Sequence, residues 1–171
     1  MLGSIIGDII GSRFELNPIT SKSFNLFDNE CRFTDDTVLT VAIADAVLAK
    51  KDYKSKVLAY ALKYHNKGYG PGFIRWVDSK GKTQGHSYGN GSAMRIAAVG
   101  FYFETKEEVV EQAKKAVEMT HNHPEGIKGA QAIALAIFLA RNGYSKEEIK
   151  LEISNEFEYK FDKSISEIKE N

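Results

Sequence analysis

The chain has 171 residues, 43% hydrophobic and 27% charged, with 23 basic and 23 acidic side chains in balance. That length suits one domain spanning 1–171, and a zero net charge leaves no cationic excess for counterion release on a nucleic-acid duplex. No apolar run approaches the ~20 residues of a membrane span, no basic stretch opens a leader, and the single cysteine, Cys31, suits a reducing compartment. The expectation is a cytoplasmic domain.

Residues 1–12, MLGSIIGDIIGS, place Gly3, Gly7 and Gly11 on one helical face. Three glycines in register lower helix propensity, so the pattern predicts a core helix closely approached by a neighbour. Asp8 interrupts this apolar helix and is expected to find donors or a cation. Glu15 follows where the helix should end.

The segment Phe33-Thr34-Asp35-Asp36-Thr37 opens a hydrophobic helix predicted over 35–49. Two readings stand side by side. Thr34 can cap the helix, with the acids complementing its dipole. Alternatively Thr34, Asp35 and Asp36 supply oxygens to a hard cation such as Mg²⁺ or Mn²⁺, which takes carboxylates and water.

A second helix is expected over 53–66, ending at Asn66-Lys67-Gly68. From Gly68 to Gly91, seven of the chain's 14 glycines fall in what reads as one long loop. Its end, His86-Ser87-Tyr88-Gly89-Asn90-Gly91-Ser92-Ala93-Met94-Arg95, runs into a helical pattern. A tight turn and a phosphate cradle are equally compatible with it, and Tyr88 offers a ring for stacking.

Further helices are expected over 92–101, 105–120, 124–142 and 145–156, the last opened by a Ser145–Glu148 capping box. Residues 157–161 read as a short strand or a turn. The class is all-α. Thr120-His121-Asn122-His123-Pro124 resembles neither a zinc finger nor a zincin, because no second Cys or His cluster completes a tetrahedral set. It reads as a structural turn, with substrate contact as the alternative.

Four segments taken together, GSIIGDIIGSRFE, ECRFTDDT, SYGNGSAMR and THNHPEGIKGAQA, resemble the ADP-ribosylglycohydrolase family, which includes the dinitrogenase reductase-activating glycohydrolases. The resemblance runs from Met1 to about Glu167. It implies a compact all-helical hydrolase that cleaves the glycosidic bond between ADP-ribose and a modified protein side chain or small acceptor, using a binuclear Mg²⁺ or Mn²⁺ centre. Carried over residue by residue, it makes Thr34, Asp35 and Asp36 metal ligands and Glu15 and Asp36 the catalytic acids. Gly89, Asn90, Gly91, Ser92 and Met94, with Tyr88 and His121, become contacts to ADP-ribose. Full-length relatives carry a second acidic motif, Gly-Gly-Asp-x-Asp-Thr, and no Asp-x-Asp follows FTDDT here. The expectation is therefore a C-terminally truncated domain lacking the family's last helices, with half the metal ligands. Its alternatives are an impaired ADP-ribose-binding remnant and a structural protein on the same scaffold. Its expected partners are a second copy or a separate C-terminal fragment, besides the ADP-ribosylated substrate.

Overall fold

The computed structural model describes residues 1–169. Nine helices occur among them: α1 (Leu2–Gly11), α2 (Asp35–Leu48), α3 (Tyr53–Lys63), α4 (Pro71–Asp78), α5 (Ala97–Tyr102), α6 (Lys106–Val117), α7 (Pro124–Arg141), α8 (Lys146–Phe157) and α9 (Ile165–Lys169). No strand forms among the described residues. The only extended pairing there is an isolated antiparallel bridge between His86 and His121. No helix in this stretch is long and apolar enough to cross a membrane.

The core is built around α2 and α7. Helix α2 carries apolar residues on almost every face because it is enclosed: Val38, Leu39, Ala42, Ile43, Ala46 and Val47 are all buried. It lies against α1, α3 and α5, while α7 packs on α5, α6 and α8. Small alanines recur on the buried faces of α6 and α7 (Ala113, Ala116, Ala130, Ala134), which lets the two helix backbones come close. Gly100 serves the same end between α5 and α7, since a Cβ there would lie 2.5 Å from the Ala134 carbonyl oxygen.

Several expected boundaries are borne out by local chemistry. The Thr34 side chain caps α2 by accepting from Asp36 N, and Asp52 and Thr105 cap α3 and α6 in the same way. At α8 both halves of the Ser145–Glu148 capping box are present. Phe157 ends α8, Glu158 caps it with a left-handed φ of 59°, and 158–161 run on as irregular chain, neither strand nor regular turn.

Three expectations need correction. The stretch from Gly68 to Gly91 is not one loop, because it contains α4. Gly70 and Pro71 set that helix's start, and Phe73, Trp76 and Val77 turn one face onto the core. The helix expected over 92–101 begins only at Ala97, since Ala93 and Met94 both bond back to the Asn90 carbonyl in a tight turn. Helix α1 forms as expected but contributes no buried residue, and nothing lies within 4 Å of where a Cβ would sit at Gly3, Gly7 or Gly11. Glycine spacing specifies which face is smooth; it does not specify what packs there.

Candidate active site

Asp8 organises the acidic end of α2. Its Oδ1 accepts the Thr34 hydroxyl at 2.6 Å, and its Oδ2 accepts Thr34 N at 2.9 Å and Thr37 N at 3.2 Å, together with the Thr37 hydroxyl. The lone charged residue of α1 thus satisfies orphan donors at another helix's N-terminus, 26 residues away in sequence at Thr34. Thr34 gives its proton to Asp8 and accepts from Asp36 N at 3.3 Å, which leaves its hydroxyl one further lone pair.

A second clamp acts on Asp35. Its N–H donates to the Lys67 carbonyl at 2.8 Å, and the Lys67 ammonium lies 3.5 Å from the centroid of the Phe33 ring. The segment leading into α4 is thereby fixed beside the acids. Gly68, at φ 95°, brings its backbone against Asp35, and a Cβ there would meet Oδ1 at 3.3 Å.

These contacts close one side of a cleft of about 420 Å³. Glu15, Asp35 and Asp36 form the acidic wall, with Leu39 below; Gly70, Pro71 and Phe73 of the α4 start form a second side. Ser87, Gly89, Asn90, Gly91, Met94, Arg95, Thr120 and His121 complete it. The acids raise one another's proton affinity. Burial, then the charge of Asp36, lifts Asp35 from 3.8 to about 6, with Glu15 and Asp8 adding to the effect. Burial and then Asp8 raise Asp36, while burial followed by Asp8 and Asp36 raises Glu15 against the opposing charge of Arg32. The half-buried Asp35 and Asp36, beside the exposed Glu15, resist ionisation, which is the donor chemistry a hard divalent cation relieves. Among the described residues, however, no three side chains of His, Cys, Asp or Glu converge on one metal position. The donor set suits such an ion and is partial.

The opposite side is neutral and cationic. Gly85 seats the histidine segment: its N–H donates to the Met119 carbonyl at 3.0 Å, and its carbonyl accepts Asn122 N at 3.1 Å. Only glycine can stand there, because a Cβ would lie 2.3 Å from the Thr120 carbonyl oxygen. His121 is thereby held against Gly91, with Nε2 3.0 Å from where that residue's Cβ would be. Burial, then the Arg95 charge, lowers the His121 imidazole to about 4. Arg95 is fully buried.

Of the sequence-predicted site residues, Glu15, Asp35, Asp36, Gly89, Asn90, Gly91, Met94 and His121 line the cleft. Three stand elsewhere. Thr34 lies behind the acids on Asp8. Ser92 is buried, its hydroxyl donating to the Gly126 carbonyl at 2.7 Å, so it braces the loop. Tyr88 is 75% exposed outside the cleft, its ring 5.3 Å from that of His123. The sequence reading assigned no role to Arg95, Thr120 or the 68–73 segment. The signal for that segment was a Gly-Pro pair beside a glycine-rich stretch, and Arg95 closes the quoted GNGSAMR run.

The fold is thus an all-helical domain with an acid-walled, glycine-lined cleft. The ADP-ribosylglycohydrolase family profile matches residues 1–170, and the chain belongs to that family. Among curated relatives it is 29% identical to the ADP-ribosylhydrolase ARH3 of Mus musculus, covering 89% of this chain and 50% of that protein. It is 27% identical to the ARH3 of Homo sapiens over 86% of this chain and 50% of that one. With the ARH3 of Gallus gallus the identity is 30% over 70% of this chain and 38% of the relative. The chain spans about half the length of the curated relatives it matches.

Proposed function

We propose that the cleft binds ADP-ribose and that the chain carries the substrate loop and one acidic wall of a hydrolase releasing ADP-ribose from a modified side chain or small acceptor. The observation that supports this best is the joining in one cleft of two features. Glu15, Asp35 and Asp36 face a backbone-rich surface made by Ser87, Gly89, Asn90 and Gly91. Glycines there let the backbone approach a diphosphate, and the acids suit ribose hydroxyls and a developing oxocarbenium charge.

In this reading Asp35 and Asp36 would hold Mg²⁺ or Mn²⁺, while Thr34 behind them fixes the turn that carries both. The ion would supply a Lewis acid at the ribose and a more acidic bound water. The residues' own parts follow from their environments. Glu15, whose raised proton affinity keeps it protonated further toward neutrality than a free carboxyl, is suited to protonate the leaving atom. Asp36 accepts a proton from the attacking water. Asp8 holds the α2 start in register, and His121 contacts the sugar or phosphate.

The alternative reading holds that the cleft binds ADP-ribose without turnover. Incubating the chain with an ADP-ribosylated protein, with Mg²⁺ and with chelator, and measuring released ADP-ribose chromatographically separates the two. Mg²⁺-dependent release supports the hydrolase; saturable ADP-ribose binding without release supports the second reading; neither result contradicts both.

The partner proposal rests on exposed apolar side chains. Leu2 (74% exposed), Leu48 and Phe101 border an open groove of about 600 Å³ with Val47 and Ala98. We propose that a second copy covers this face. A dimer in light scattering supports that, and a monomer at micromolar concentration contradicts it. A reducing cytoplasmic setting accords with the one thiol, Cys31.

A further inference from the structure

We infer that Arg95 and Thr120 are positioning residues that lock His121 as its Nε2–H tautomer, so that His121 meets the ligand as a hydrogen-bond donor to an oxygen atom. This rests on the reading of the cleft as a ligand site but is tested apart from it.

A count of protons and lone pairs fixes the tautomer. The Thr120 hydroxyl has one proton and two acceptor positions. Arg95 Nη2 donates to it at 2.7 Å and takes one acceptor position, because a guanidinium can only donate. Two groups remain within reach: His121 Nδ1 at 2.9 Å and the Val117 carbonyl oxygen at 3.3 Å. The Val117 carbonyl already accepts two backbone N–H groups, from Thr120 at 3.0 Å and His121 at 2.9 Å. Its two lone pairs are spoken for, and the hydroxyl contact to it is the longest of the set. The Thr120 proton therefore belongs to His121 Nδ1, which must be the unprotonated nitrogen. In a neutral imidazole the other nitrogen then carries the hydrogen.

The field of Arg95 acts in the same direction. A buried cation beside Thr120 polarises its O–H toward the imidazole and favours the ring orientation that turns a lone pair, not an N–H, toward the charge. Burial and that charge also oppose protonation of the ring, so the imidazole stays neutral at physiological pH. Arg95 Nε and Nη1 are sealed and have no partner among the described residues, whereas His121 lines the cleft with its Nε2 beside Gly91. A neutral ring whose exposed nitrogen bears hydrogen is unfit to act as a base. It selects an acceptor, namely a ribose hydroxyl oxygen or a phosphoryl oxygen, and rejects a cation.

Nitrogen-15 NMR of the ligand-free protein tests this directly, with His121→Gln assigning the resonance among the four histidines. The expected spectrum has Nε2 in the protonated range and Nδ1 in the unprotonated range, unchanged between pH 5.5 and 8. A protonated Nδ1 overturns the proposal outright. Thr120→Val, which keeps the shape and removes the hydroxyl, is expected to shift the tautomer ratio about tenfold toward Nδ1–H, the worth of one hydrogen bond. Thr120→Ser is expected to restore it, and an unchanged ratio in a folded Thr120→Val protein contradicts the role of Thr120. Because these readouts need no ligand, they stand even if the protein proves not to bind ADP-ribose.

Discussion

The carboxylate of Asp8 accepts both the hydroxyl and the backbone N–H of Thr34, at 2.6 and 2.9 Å, and so ties the first helix to the N-terminus of the second. Everything on the acidic wall depends on that tie. Asp35 and Asp36 occupy the first turn it fixes, and Glu15 follows the end of α1 after the 3-10 turn Ser12–Phe14.

Replacing Asp8 should therefore be costly. Asp8→Ala strands two backbone donors and two hydroxyls at the α2 start, with an expected loss of about 2–4 kcal/mol. Asp8→Asn should lose somewhat less, since one carbonyl oxygen remains while its amide faces donors. Urea unfolding at pH 7 measures both; a loss under about 0.5 kcal/mol would remove Asp8 from this role.

Asp35 carries a destabilising charge at neutral pH. Its folded pKa, about 6, lies above the unfolded 3.8, so its favourable contribution is complete below 3.8 and is lost as pH rises through 6. Asp35→Asn should consequently stabilise the metal-free protein at pH 7 by about 1 kcal/mol, a figure reduced for the solvent that reaches this half-buried group. The gain should vanish by pH 3.5. Denaturant curves for the two proteins across that range check the sign and the window.

His121 contributes with the opposite sign in an overlapping window. Its folded pKa of about 4 lies below the ordinary 6.5, so its contribution is full above 6.5 and disappears as pH falls through 4. Relative to wild type, His121→Gln should lose most stability at pH 7 and least near pH 4. In Asp35→Asn the slope due to His121 should be opposed only by the smaller contributions of Asp36 and Glu15, with stability rising from pH 4 to 6.5 more steeply than in the parent.

Gly85→Ala tests how the two sides of the cleft are joined. Its methyl would overlap the Thr120 carbonyl oxygen, so the bridge between His86 and His121 must open. A loss of about 2 kcal/mol or more is expected, with faster amide exchange at Gly85 and Asn122. Normal stability with an intact bridge would show that the backbone yields at no cost.

How much of this was legible in the sequence depends on the range of the interaction. Caps act within four residues, so Thr34 on α2 and Ser145 with Glu148 on α8 could be read directly. Helix α4 was hidden because eight residues between glycines give too little periodicity, although Pro71 marked its first turn. The bond from Thr34 to Asp8 spans 26 residues, and only the oddity of an acid in an apolar helix hinted at it. Tyr88 and Ser92 sit in the right segment, but a loop's residue types do not reveal which side chains face inward. The acidic motif showed which carboxylates gather; the buried Arg95–Thr120–His121 chain opposite them needed two distant segments folded together.

The most direct test of the account is calorimetric titration of ADP-ribose into the chain, beside Asn90→Ala and Asp36→Asn. Saturable binding in the parent, weakened at least about tenfold by Asn90→Ala, as for loss of one well-placed hydrogen-bonding group, is the expected result. No saturable heat up to millimolar ADP-ribose, in a protein shown to be folded and with Mg²⁺ present, would contradict it.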